Sequence, residues 1–423
     1  MVIANARVLT FDAANRVLDS ACVEIRPDGA IGVIAKKPPA GAQVIDAGGR
    51  LLMPALINCH THLYSTLARG IAIPGRAPRH FPEILKKLWW RLDCALNEDD
   101  VYYSALIGLI DSAKCGVGTL VDHHSSPNAC AGSLDRIEQA FREVGLRGAL
   151  CYETSDRNGA PKAADGIREN LRFLQRKHDG MIGAAFGLHA AFTLSDRTLR
   201  RCAEAARTFH VHVAEDTCDS AAVPRLAKAG ILNDRTLAAH CLHVGAKEIR
   251  TLAEHGVNVI HNPQSNCNNA VGVAKLPEML QAGVTVGLGS DGYSPRLWDE
   301  FKTSLHVQKL RSRDPRAGYG SALLNNREIV RKVFGFDIGR VETGASADLI
   351  LVDYFPPTPL RADNLFGHLL FGISNAPVDS LIVNGHFVVQ NMQCVTVDER
   401  AVAEKASRQA QSLWRRFENS CKN

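Results

Sequence analysis

The sequence predicts a (β/α)8 barrel joined to a small β-sandwich that both chain ends build together. Three observations predict it. Short apolar runs alternate with amphipathic segments, the mark of βα units and a parallel sheet. Polar, titratable residues come directly after each of eight such runs, and the C-terminal ends of the strands are where such a barrel carries its working face. The chain ends differ, showing short alternating strands broken by turns.

The eight runs are Leu51–Ile57, Thr119–Val121, Ala149–Tyr152, Ala184–Leu188, Phe209–Val213, Thr236–Ala239, Val257–Ile260 and Val284–Leu288. Between them, Asp99–Cys115, Leu134–Val144 and Ala246–His255 carry apolar residues at helical spacing. Ser195 before Asp196 predicts an N-cap for a helix through Ala206. Gly145, Gly256 and Gly283 stand where helices should stop. Residues 1–50 supply the first part of the sandwich, with turns at Asp12–Asn15 and Pro27–Gly29. Residues 51–345 form the barrel. Residues 346–423 complete the sandwich and add a final helix over 399–418. The strand pair within 381–389 is joined by a hairpin signal, Asn384–Gly385.

Length and composition allow a large core: 423 residues, 46% hydrophobic and 22% charged. The net charge of +5 is spread along the chain, with no basic run of the kind that binds nucleic acid. There is no basic n-region leading into an apolar h-region, and no apolar stretch approaches the roughly 18 residues of a membrane span. Twelve cysteines are scattered without a C-x-x-C pair, which reads as reduced thiols in cytoplasm. No G-x-G-x-x-G comes after a strand, so nothing supports a dinucleotide-dependent oxidoreductase.

The chemistry lies just past the end of each run. The first leads into His60 and His62, the second into Asp122, His123 and His124, and the third into Glu153. The fourth meets His189, the fifth His212 and Glu215, and the sixth His240. The seventh meets His261 and Asn262, the eighth Asp291. In extended backbone, residues i and i+2 point the same way, so His60 and His62 can reach one cation, while Cys59 points opposite. Of His210 and His212, the latter is nearer the strand end, and His210 packs in the barrel. His60, His62, His212 and Asp291 make a site of three nitrogens and one oxygen with room for water, which is a catalytic coordination rather than a closed structural one. Glu215, three residues past His212, can shuttle protons there. His123, His255 and His261 are read as satisfied core histidines.

These residues resemble the amidohydrolase superfamily, in its cytosine deaminase, S-adenosylhomocysteine deaminase and triazine chlorohydrolase branch. The matching segments are Met53-Pro-Ala-Leu-Ile-Asn-Cys-His-Thr-His62, Gly187-Leu-His-Ala-Ala-Phe-Thr193, His212-Val-Ala-Glu215, Ala239-His-Cys-Leu-His243, His261-Asn-Pro-Gln-Ser-Asn266, Gly289-Ser-Asp-Gly292 and Gly344–Asp353. Leu88-Trp-Trp-Arg-Leu-Asp93, Val121-Asp-His-His124 and Glu153-Thr-Ser-Asp-Arg-Asn158 are similar to the SsnA-type aminohydrolases. The resemblance implies metal ligation by His60, His62, His212 and Asp291. It implies Glu215, His240 and Asp291 as catalytic groups and His189 as a substrate contact. Arg69, Trp89, His124, Glu153 and Asn266 are further pocket candidates. His189-Ala-Ala-Phe192 stands where binuclear relatives place a bridging lysine or glutamate, which favours one metal, zinc first and iron second. The implied reaction is hydrolytic deamination of a small nitrogen heterocycle by a cytoplasmic homodimer that binds neither nucleic acid nor membrane. Dechlorination, cyclic-amide opening and metal-dependent binding without turnover are the rival readings.

Overall fold

The structure is a computed structural model that describes residues 1–317 and 321–419. Eight parallel strands form the barrel: β1 (Leu56–Thr61), β2 (Val117–His124), β3 (Arg147–Tyr152), β4 (Phe186–Ala190), β5 (Phe209–Val213), β6 (Leu237–His240), β7 (Asn258–His261) and β8 (Thr285–Leu288). Ladders run β1–β2–β3 and β4–β5–β6–β7–β8. Two parallel bridges close the ring, Thr61 to Asp291 and Thr154 to Leu188. At the first seam the amides of Ser290 and Asp291 both donate to the carbonyl of His60, at 3.0 Å each.

Two expected strands are divided. Leu51–Ile57 is not one strand. Leu51–Pro54 lies in the terminal sheet, and β1 starts at Leu56. Pro54 has no N–H to extend a ladder. The chain therefore changes sheets at Ala55, whose amide bonds the Asp348 carbonyl while that of Leu56 bonds the Gly116 carbonyl. The fourth run splits around Ala185 into Ile182–Ala184, which pairs with β3, and β4, which pairs with β5.

Both chain ends build one continuous nine-stranded ladder. Its strands are apolar at consecutive positions because both faces are covered, which needs no hydrophobic–polar alternation. Leu51, Met53, Ile350, Val352, Leu381 and Val383 pack into the main core under the barrel helices. Leu52, Leu349, Leu351 and Ile382, one position out of phase, pack into a core of the sheet's own. The terminal helix, Glu399–Asn419, braces the start of the site. Its Trp414 indole donates to the Leu67 carbonyl and its Arg416 Nε to the Ala95 carbonyl, at 2.8 and 2.9 Å. Ser195 caps Asp196–Ala205 through the Thr198 amide. Asn97 and Asp100 form a reciprocal cap on Glu98–Lys114. No helix among the described residues is long and apolar enough to cross a membrane.

Candidate active site

The ends of β1, β5 and β6 and the turn after β8 bring their polar side chains to one point. His62 Nδ1 donates to the His123 carbonyl and His212 Nδ1 to the His189 carbonyl, both at 2.6 Å. A carbonyl only accepts, so these nitrogens carry the ring proton, and in a neutral ring Nε2 is bare. The two Nε2 atoms face each other at 3.1 Å. Asp291 Oδ1 lies 3.0 Å from His62 Nε2 and 3.5 Å from His60 Nε2. Two lone pairs and a carboxylate oxygen this close repel unless a positive charge sits among them. Among the described residues, Nε2 of His60 and of His240 are moreover buried without a hydrogen-bond partner, a costly state for a polar atom. Burial opposes charge at His62, while the Asp291 and Glu153 carboxylates beside it favour positive charge there. Ligand atoms of His60, His212, His240 and Asp291 lie within 4.8 Å of one another. Imidazole and carboxylate donors at this spacing fit zinc and its first-row neighbours.

The backbone is bent to make this convergence. His240 and Asp291 adopt left-handed φ angles of 74° and 55°, unusual for residues other than glycine and concentrated at functional sites. At Gly289 a β-carbon would lie 2.5 Å from Asn262 Oδ1 and 2.8 Å from His60 Cβ. Only glycine lets the last turn pass so close to a histidine of β1.

Beside the centre, Glu215 Oε2 is 3.6 Å from His240 Nε2. Burial, reinforced by the charge on Asp291, pushes Glu215 well above the usual carboxylate range, so it holds its proton. His240 Nδ1 donates to Asn266 Oδ1 at 2.8 Å, which leaves Nε2 as an acceptor 3.7 Å from Asp291 Oδ2. Ser265 Oγ donates to Asp291 Oδ2 at 2.5 Å. Burial on one side and the His60 and His62 bonds on the other leave Asp291 well below the ordinary range, ionised throughout.

These groups open into a cleft of about 810 Å³, counting its mouth. A π-helical turn at Leu85–Trp89 widens the helical segment over 81–95, and Trp89 and Trp90 both reach the cleft. Phe192 and Tyr293 stand half-exposed at the rim. His189 donates from Nδ1 to Thr193 Oγ1 and leaves Nε2 3.9 Å from Glu153 Oε2. Burial pushes Glu153 up to about 7, held back by His62 and Arg157.

Of the sequence-predicted residues, His62, His212, Asp291, Glu215, His189, Trp89 and Glu153 line the cleft, with His60 and His240 buried among them. His124 and Asn266 stand behind the wall, bonded to Ser126 and His240. Arg69 is not brought to the site: it pairs with Asp111 on the outside of the barrel. His255 is exposed rather than core, and both nitrogens of His123 and of His261 are buried but unsatisfied. Sequence reasoning missed Trp90, Asp93, Arg157 and Ser265. The buried Arg157 guanidinium bonds Asp93 and Ser125 and lies over the Trp90 ring. Its sequence signals are its place a few residues beyond β3 and its membership of the family-like segment Glu153–Asn158.

Comparison with known proteins agrees with this architecture. The chain is 32% identical over 396 residues to a 5-methylthioadenosine/S-adenosylhomocysteine deaminase of Desulforudis audaxviator, covering 88% of this chain and 89% of that protein. It is 32% identical over 435 residues to a 5'-deoxyadenosine deaminase of Methanosarcina mazei, covering 98% of each. A solved adenosine deaminase of Xanthomonas campestris, crystallised with bound zinc, superposes with a TM-score of 0.86 at 22% identity over 98% of both chains. Residues 51–388 match the amidohydrolase family, and with the barrel and its converging histidines this makes the chain a member of that family.

Proposed function

We propose that the protein is a zinc-dependent aminohydrolase, with one ion per chain, that removes an exocyclic amino group from a purine nucleoside or a similar flat nitrogen heterocycle. The observation that carries the reading is a buried carboxyl, Glu215, 3.6 Å from His240 Nε2 and beside the cluster of imidazole nitrogens that converge on Asp291. The names of the relatives support the substrate class. Trp89 and Trp90 supply flat apolar walls suited to a ring.

His60, His62, His212 and Asp291 would hold the cation, which when bound lowers the pKa of water toward about 7 and polarises the reacting carbon. Asp291, ionised, accepts a proton from the attacking water. His240, its Nδ1 proton committed to Asn266, offers Nε2 as an acceptor to the same water and aims it. Glu215 gives its proton to a ring nitrogen, which makes the adjacent carbon electrophilic. Ammonia leaves poorly unless protonated. Glu215 therefore relays the proton taken up at Asp291 to the departing nitrogen, and the proton left on the added oxygen returns to Glu215 as the new carbonyl forms.

Ammonia release across purine nucleosides, pterins and pyrimidines tests the reading. Glu215→Gln is expected to retain zinc and lose turnover by about 100- to 10,000-fold. Loss of zinc in that variant would overturn the role of Glu215. Silence of the zinc-loaded wild type on the whole panel would overturn deamination.

A further inference from the structure

Three histidines face the centre from β1 and β5, and their far nitrogens are not held alike. His62 and His212 bond directly to main-chain carbonyls. His60 does not. Its Nδ1 lies 2.8 Å from Nε2 of His210, a residue of β5 one layer below His212. His210 Nδ1 in turn lies 3.7 Å from Cys151 Sγ on β3, and Cys151 Sγ lies 3.5 Å from the Asp122 carbonyl on β2. All three side chains have no exposed surface. The His123 ring stacks on His210 at 4.5 Å, with 20° between the planes, and fixes its orientation.

Proton counting gives this relay one direction. The Asp122 carbonyl only accepts, so Cys151 spends its single S–H there. The sulfur then accepts from His210 Nδ1. A neutral His210 so committed has a bare Nε2, which accepts from His60 Nδ1. A neutral His60 so committed has a bare Nε2 aimed at the centre, the atom left without any partner among the described residues. The reverse polarity would move the Cys151 S–H from the Asp122 carbonyl, at 3.5 Å, to His210 Nδ1, at 3.7 Å, and would put a proton on His60 Nε2, the atom a metal needs bare.

We infer that His210 is a positioning residue for the metal: through the relay Asp122–Cys151–His210 it fixes the tautomer and ring plane of His60 and so makes Nε2 the ligating atom. The inference rests on the metal-centre reading above. It places a working role on a histidine that would otherwise be barrel filling.

The test uses the full chain stripped of metal, with zinc affinity measured by chelator competition and cobalt(II) as a spectroscopic probe. His210→Leu removes the acceptor. His210→Asn keeps an amide but stops short of His60, and His210→Gln carries a carbonyl to about the position of Nε2. His210→Leu and His210→Asn are expected to weaken zinc binding about 10- to 100-fold and to shift the cobalt(II) d–d bands. His210→Gln recovers most of the affinity. Unchanged affinity and bands in a folded His210→Leu would overturn the inference. If His210→Leu fails to fold, equal affinities in the two amide variants overturn it. A wild type that binds neither zinc nor cobalt would instead overturn the metal centre itself.

Discussion

At the scale of the residue, the site works by committing each proton in advance. Asn266 Oδ1 accepts from His240 Nδ1, and so leaves Nε2 without a proton on the side of the centre. Asn266→Ala frees that ring to change tautomer. We expect kcat to fall roughly 10- to 100-fold with zinc content unchanged; a loss of zinc would place His240 among the ligands. The residues that act this way from a strand end were legible in the sequence. Period-two spacing puts His60 and His62 on one side of β1, and a carboxylate three residues past His212 falls into the same cleft. The pairing of Arg157 with Asp93 was not legible, because it spans 64 positions and joins a loop to the helix Trp90–Ala95. No local spacing encodes a contact of that kind. Arg69 is turned to Asp111 instead, a contact 42 positions away that no local spacing encodes.

At the scale of the element, six strand positions were legible because apolar runs of three to five residues bounded by glycine or polar clusters leave little choice. The division at Pro54 was not, since both sides of that proline are equally apolar and only the missing N–H marks the change of sheet. The turn after β8 carries a tight requirement beside the metal-facing histidines. Gly289→Ala should displace His60, lowering both the unfolding temperature and the bound zinc; a fully metallated Gly289→Ala would show that the backbone there has slack. The turns after β4 and β5 are joined by Asp219, whose carboxylate accepts from the Phe192 and Ala214 amides at 2.9 and 3.1 Å. Burial outweighs those two bonds and pushes Asp219 up to about 6. The folded state then binds more protons than the unfolded chain between about pH 4 and 6. This group's contribution to stability is accordingly full below pH 4 and lost as pH rises through 6, a swing of about 3 kcal/mol. In the metal-free protein, Asp219→Asn should gain on the wild type by that amount between pH 4 and pH 7. Parallel stability curves for the two proteins would refute the assignment.

At the scale of the whole molecule, the barrel is tied to the terminal sheet by a buried ion pair. Arg147, the first residue of β3, makes two bonds to Asp348, at 2.9 and 3.0 Å, and a third to Ser346. Asp348 also accepts from the Asn384 amide. Asp348→Ala would strand a buried guanidinium and should cost about 3–5 kcal/mol, read as a lowered unfolding midpoint. Because the pair sits at the N-terminal end of β3, away from the cleft, activity per bound zinc should not change. The ring of strands closes where the His60 carbonyl receives two amides from the turn that bears Asp291. The segments that must meet there are over two hundred residues apart in the chain. A chain still lacking that turn has an open ring and no Asp291 carboxylate, so the last donor joins the three histidines in the same event that shuts the cylinder.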